Sequence, residues 1–274
     1  MESFFSFLEK RVDDCSSLLC IGLDPHVSDL SAPTAETARD FCLNLVKQTS
    51  RYAAAFKPNA AFFEVFGAAG WTALKQVVDA IQEESDRLGS MIPVVLDAKR
   101  GYIASTAEAY AKSAFENLDV DCITLSPYLG KDSIEPFIAN SEKGVFMLCK
   151  TSNPGAEDLQ DLALLSGDPL HIHVAKLAQS WNTKNNVGLV VGATYPETLA
   201  RVRDTAPNMW FLAPGVGTQG ADLEAALKAG LRKDGRGMLI PVSRGIARAE
   251  KPGIAAAEFR DTMLEIRLSI TGNR

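Results

Sequence analysis

The stretch Val94-Val95-Leu96-Asp97-Ala98-Lys99-Arg100-Gly101-Tyr102-Ile103-Ala104-Ser105-Thr106 passes abruptly from hydrocarbon into charge. Its apolar start reads as a buried strand. Asp97 and Lys99 are two apart, so on an extended strand they project from one face. Gly101 permits a tight turn, and Ser105 and Thr106 lead into the helix-forming run 107–112. A carboxylate and an ammonium fixed together at a strand's C-terminal end can move a proton to or from whatever is held above them. On an isolated strand the same pair would be a solvated ion pair. What decides is whether other strands deliver partners to the same place.

Outward from that stretch the unit recurs. Residues 1–16 read as a short amphipathic helix, with Phe4, Phe5, Leu8 and Val12 on one face. Apolar runs of strand length follow at 18–23 and 53–56, then the run ending at Asp97, then 121–125, 145–149, 187–191, 210–213 and 238–241. Helical stretches at 34–52, 68–88, to about 117, 168–184 and 253–271 separate or follow them. Continuous rather than alternating hydrophobicity fits a parallel sheet buried on both faces. Eight such units without a mid-chain linker, an internal repeat or a low-complexity segment predict an α/β fold. The expected form is a (β/α)₈ TIM barrel, a single domain over 1–274 with a short N-terminal helix. An open doubly wound sheet is the alternative, and the even pacing favours closure.

Composition narrows the function. A formal net charge of −6, without a basic run, argues against a nucleic-acid surface. No stretch reaches the roughly 18 apolar residues of a membrane span, and the N-terminus lacks the apolar core of a signal peptide. Cys15, Cys20, Cys42, Cys122 and Cys149 show no C-x-x-C spacing, and three lie inside strand-like runs, as expected of reduced thiols in the cytoplasm.

In a barrel every strand's C-terminal end faces one mouth, where catalytic residues gather. The polar residues ending these strands are Asp24, Lys57, Asp97, Lys99, Ser126, Ser152, Thr194, Gln219 and Arg244. Two lysines and two aspartates on the first three strands need one another, because buried charge requires partners. The seventh strand ends in Pro214-Gly215-Val216-Gly217-Thr218-Gln219-Gly220, a formal G-x-G-x-x-G. It stands too late in the chain for a dinucleotide fingerprint and reads better as backbone N–H groups offered to a phosphate. Arg244, after the eighth strand, supplies a bidentate phosphate grip. His171 and His173, at i,i+2 on a helix start, face different ways and predict no metal site.

Taken together, Leu23-Asp24-Pro25-His26, Phe56-Lys57-Pro58-Asn59-Ala60-Ala61-Phe62-Phe63-Glu64, Asp97-Ala98-Lys99-Arg100-Gly101, Ser126-Pro127-Tyr128-Leu129-Gly130, Thr151-Ser152-Asn153-Pro154-Gly155 and the 214–220 loop resemble orotidine 5′-phosphate decarboxylases. The likeness is to the longer bacterial-type branch of that family, and it covers nearly the whole chain. It implies decarboxylation of orotidine 5′-monophosphate to UMP and carbon dioxide, the last step of pyrimidine biosynthesis, with no cofactor. It also implies a homodimer with the active site near the interface. Both a free-standing enzyme and the decarboxylase part of a UMP synthase fit the resemblance.

Carried over by motif, Asp24 binds a ribose hydroxyl with Lys57 beside it. Asp97 sits by the scissile carboxylate, and Lys99 protonates C6. Ser152 reads the pyrimidine, and Thr106 touches the sugar or the partner's site. Gly215, Gly217, Gln219, Gly220 and Arg244 hold the phosphate.

The chain departs from the family pattern D-x-K-x-x-D at Tyr102, where the last aspartate reaches into the partner's site, and Ala104 stands where glycine is common. Counting Lys57, Asp97 and Lys99 alone leaves one positive charge uncompensated, which predicts a lowered lysine pKa or an attracted anion. The departure predicts reduced activity. Two further readings follow: a catalytically impaired UMP-binding homologue, and a metal-dependent phosphosugar barrel of the kind that also ends a strand in D-x-K but lacks the 56–64 stretch.

Overall fold

A computed structural model describes residues 2–216 and 222–272. Helix α1 (Phe4–Cys15) begins at Ser3, whose hydroxyl accepts the Ser6 N–H at 3.2 Å. It is followed by β1 (Leu19–Leu23), α2 (Ala35–Thr49), β2 (Ala55–Pro58), α3 (Ala61–Glu64), α4 (Gly67–Leu88) and β3 (Val95–Arg100). The middle of the chain forms α5 (Ala104–Lys112), β4 (Cys122–Leu125), α6 (Glu135–Ile138), β5 (Gly144–Lys150), α7 (Leu170–Trp181) and β6 (Val187–Val191). It ends in α8 (Pro196–Thr205), β7 (Phe211–Leu212), α9 (Leu223–Gly230), β8 (Met238–Val242), α10 (Arg244–Ala247) and α11 (Pro252–Thr271).

All seven strand ladders are parallel, in the order β2-β1-β8-β7-β6-β5-β4-β3. The circle is completed between β2 and β3 by two isolated bridges, Phe56 to Val94 and Asn59 to Asp97. This is the predicted (β/α)₈ barrel. The strands are largely buried because helices cover the outside and side chains fill the inside, and β3 emerges from the core only at its Asp97–Arg100 end.

Helix α1 seals the N-terminal end of the barrel. Phe5 stacks on Trp210 with ring centroids 6.1 Å apart and meets Phe146 edge-on at 5.5 Å. Gly144 and Gly188 leave room for this plug, since a Cβ at Gly144 would stand 2.2 Å from the Phe4 ring and one at Gly188 2.8 Å from Phe5. With one end closed by aromatic packing, the C-terminal end remains for chemistry. The five cysteines are buried, as free thiols, in or against the core.

Two of the strands that lead to the C-terminal mouth differ in extent from expectation. The second strand runs two residues later than 53–56, because Lys57 and Pro58 lie inside the ladder and both are buried. The seventh is only Phe211–Leu212, shorter than the apolar run that contains it.

Candidate active site

The strand ends converge on one cavity of about 530 Å³ at the C-terminal mouth, a size suited to a small ligand. Asp24, Lys57, Asp97, Lys99, Ser152, Gly215 and Arg244 all line it. Asp97 is the hub. Its Oδ2 accepts from Lys57 Nζ at 2.9 Å, and its Oδ1 accepts from Lys99 Nζ at 2.5 Å and from Thr124 Oγ1 at 3.1 Å.

Strand parity is not what brings Asp97 and Lys99 together. The ladder with β4 slips between Leu96 and Arg100, and Lys99 takes φ +47°, a left-handed conformation inside a bulge. Thr124 Oγ1 holds that bulge by accepting the backbone N–H groups of Ala98 at 3.0 Å and Lys99 at 2.9 Å. Gly101 is needed for close approach rather than for a turn, since a Cβ there would stand 2.9 Å from the Ser126 carbonyl oxygen. The positive φ falls instead on Ala104, at +52°.

Burial opposes both charges of the Lys57–Asp97 pair, yet each is held charged by its partners. The Lys57 and Lys99 ammonium groups outweigh burial at Asp97, holding its carboxyl well below the usual range. At Lys57, the Asp97 and Asp24 carboxylates outweigh burial and raise its pKa above the ordinary lysine value. The expected lowering of a lysine pKa is therefore overturned at Lys57. The tally that predicted it left out Asp24, which brings the local count to two lysines and two acids.

Asp24 is placed at the end of β1 by a hydrogen bond of 2.5 Å from Ser243 Oγ to its Oδ2. Gly22 makes room for that contact, because a Cβ there would lie 1.8 Å from Ser243 Oγ. Asp24 lines the cavity, and its buried Oδ1 has no hydrogen-bond partner among the described residues. Arg244 opens α10 with an exposed side chain and lines the cavity, as does Gly215. Gly215 has φ +114°, open to glycine and costly for other residues.

Gly217, Gln219 and Gly220 lie outside the described residues. Thr106, on α5, and Tyr102, 52% exposed, do not line the cavity within this chain. Of the other strand-end residues, Ser126 and Thr194 do not line it either. His171 is buried at the start of α7, donating from Nδ1 to the Gln160 carbonyl oxygen at 2.9 Å. Among the described residues no group of His, Cys, Asp and Glu side chains converges as metal ligands.

A family model described as orotidine 5′-phosphate decarboxylase / HUMPS family matches residues 17–259. The chain belongs to this family. It is 48% identical, over 93% of its own length and 92% of the relative's, to an orotidine 5′-phosphate decarboxylase of Roseiflexus sp. (strain RS-1). It is similar to the solved Leishmania donovani OMP decarboxylase, with 53% identity, TM-score 0.87, and coverage of 97% of this chain and 99% of that one. It also matches L. donovani UMP synthase with TM-score 0.90 and 53% identity over 98% of its length, spanning 57% of that larger chain.

Within this decarboxylase-family site, several lining residues escape motif reading. Thr124 is one, and its only local signal is a lone hydroxyl inside the apolar run Cys122-Ile123-Thr124-Leu125. Ser243 and Phe259 are others, brought in by the return of the chain's end to its first strand. His26, which closes the 23–26 motif, lines the cavity with its ring edge-on to Phe62 at 4.4 Å.

Proposed function

We propose that this carboxy-lyase family member decarboxylates orotidine 5′-monophosphate to UMP and carbon dioxide in pyrimidine biosynthesis. The observation that carries the reading is the Lys57–Asp97–Lys99 relay on the floor of a cavity whose rim holds Arg244 and Gly215. Arg244 and the glycine loop grip the phosphate, far from the bond that breaks, and so supply binding energy for orientation. Asp24 Oδ1 accepts a ribose hydroxyl, with Lys57 beside it, and Ser152 reads the pyrimidine edge. This orientation sets the substrate carboxylate against Asp97, where like charges disfavour the ground state.

When the C6–carboxylate bond breaks, carbon dioxide leaves and the electron pair stays on C6. The Lys99 ammonium, already hydrogen-bonded to Asp97, stabilises that charge and delivers its proton to C6. Solvent then returns a proton to Lys99, whose side chain is 51% exposed. The chain's own groups and solvent suffice for each step, so the reaction is proposed to need no cofactor. A cytoplasmic homodimer completes the reading, with Thr106 at the sugar or the partner's site. No helix among the described residues is long and apolar enough to cross a membrane.

Tyr102 and Ala104 support a second reading, a UMP-binding homologue whose turnover is slow. One experiment separates the readings: loss of orotidine 5′-monophosphate absorbance on mixing with the protein, with and without a chelator. Chelator-insensitive loss supports the decarboxylase. UMP binding without loss supports the impaired homologue, and metal-dependent turnover of a phosphosugar would overturn both.

A further inference from the structure

Ser152 hangs from the end of β5 in a segment, 151–169, that buries a single side chain, Ala156. With so little apolar surface committed, the shape of this segment rests on polar bonds. Gln160 supplies those that reach Thr151, next to Ser152. Its Oε1 accepts the Thr151 backbone N–H at 2.8 Å, and its Nε2 donates to Thr151 Oγ1 at 2.9 Å. Its carbonyl oxygen accepts from His171 N at 3.0 Å and from His171 Nδ1 at 2.9 Å. Thr151 Oγ1 in turn donates to Asn153 Oδ1 at 2.6 Å.

The opposite side of the segment is held by backbone. Gly192 N donates to the Lys150 carbonyl at 2.7 Å, and a Cβ at Gly192 would stand 3.1 Å from Ser152 N. Ser152 is thus backed by Gly192 and flanked by Thr151 and Asn153, one bonded to Gln160 directly and the other through Thr151. All three line the cavity, whereas Gln160 does not.

An amide side chain has one accepting and one donating end. Only one orientation satisfies both the N–H and the hydroxyl of Thr151. That orientation leaves the hydroxyl to donate to Asn153 Oδ1 at 2.6 Å in preference to Gln160 Oε1 at 3.3 Å, and so sets which end of the Asn153 amide is engaged. We propose that Gln160 is a positioning residue for base recognition, setting the donor–acceptor polarity that the 151–153 segment presents to a uracil ring. The proposal rests on reading the cavity as a UMP site. Glutamate at 160 offers acceptors only, so the Thr151 hydroxyl turns to it and Asn153 is released. Uracil and cytosine differ in donor and acceptor pattern at positions 3 and 4, so the change is felt at the base and not at the phosphate.

The test is calorimetric binding of UMP, CMP and ribose 5-phosphate to the parent, Gln160→Glu, Gln160→Ala, Thr151→Val and Thr151→Ser proteins. The expected result is about tenfold weaker UMP binding in the first three variants, the loss of roughly one well-made hydrogen bond. Ribose 5-phosphate affinity stays within about twofold, the UMP-over-CMP preference narrows in Gln160→Glu, and Thr151→Ser retains parental affinity. Unchanged UMP binding in both Gln160 variants overturns the proposal. So does equal weakening of UMP and ribose 5-phosphate, which marks a merely structural role. A parent protein that binds ribose 5-phosphate but shows no preference for UMP overturns the reading of the site itself.

Discussion

Lys57 Nζ lies 2.9 Å from Asp97 Oδ2 on the neighbouring strand, with only 8% and 13% of the two side chains exposed. Removing one member of such a pair strands the other charge. Asp97→Asn is expected to cost about 3–5 kcal/mol of stability at neutral pH, read as a lowered urea midpoint. Because Asp97 titrates below its ordinary range, its contribution is complete above about pH 4 and is lost as pH falls toward the folded value. Lys57 titrates above its ordinary range, so its contribution is complete below about pH 10 and is lost as pH rises further. The variant should therefore show a flatter acid arm than the parent between pH 5 and pH 2. Parallel acid arms would refute the assignment.

Lys99 shares the same carboxylate but is half in solvent. Lys99→Ala should change stability by no more than about 1 kcal/mol, retain UMP binding and abolish decarboxylation. Residual turnover near the parental rate would mean that C6 takes its proton from another group.

Arg244 starts a four-residue helix and contributes little to the core. Arg244→Ala should raise KM for orotidine 5′-monophosphate by about tenfold or more, the loss of a charge-assisted bond, with an unchanged urea midpoint. Parental affinity for UMP in this variant would remove Arg244 from the phosphate site.

Ala104 holds φ +52°, where a side chain costs about 1–2 kcal/mol. Glycine relieves that cost and gives back part of it in unfolded-chain entropy. Ala104→Gly should thus stabilise the protein by about 0.5–1 kcal/mol, visible as a raised Tm.

Tyr102, two residues earlier, is a largely exposed phenol where the family pattern has a carboxylate. A phenol does not supply the negative charge of a carboxylate at neutral pH. Among the described residues Asp24 and Asp97 face Lys57, while Lys99 pairs with the carboxylate it shares with Lys57. Tyr102→Asp should raise kcat/KM by about tenfold or more through a second acid near Lys99 in the proposed homodimer. A parent that already matches the Tyr102→Asp protein would show that this charge is not needed.

The barrel is readable because buried parallel strands write continuous apolar runs, and the helix of residues 1–16 is readable from Phe4, Phe5, Leu8 and Val12. Hydrophobicity misplaces β2, since Lys57 is a charged residue inside a ladder, and its burial depends on Asp97, 40 positions away. Parity finds the Asp97–Lys99 pair but through the wrong geometry, because the bulge at Lys99 is dictated by Thr124 on the next strand. Helices α8 and α9 are short, and the sequence reading sets out no separate element for either. Asp24 and Ser243 meet only once the last strand closes on the first. Local pattern carries the elements, while closure of the circle creates the site.

The ring of strands is joined between β2 and β3 by two isolated bridges, Phe56 to Val94 and Asn59 to Asp97. The same two strands carry Lys57 and Asp97, whose charges meet beside that joint. Prising the ring apart there and dismantling the proton relay are one event. A ligand that engages both lysines also acts as a clasp, so occupancy is paid back as resistance to opening. Foldedness and readiness to react are drawn from the same few contacts, and a substitution that loosens one slackens the other.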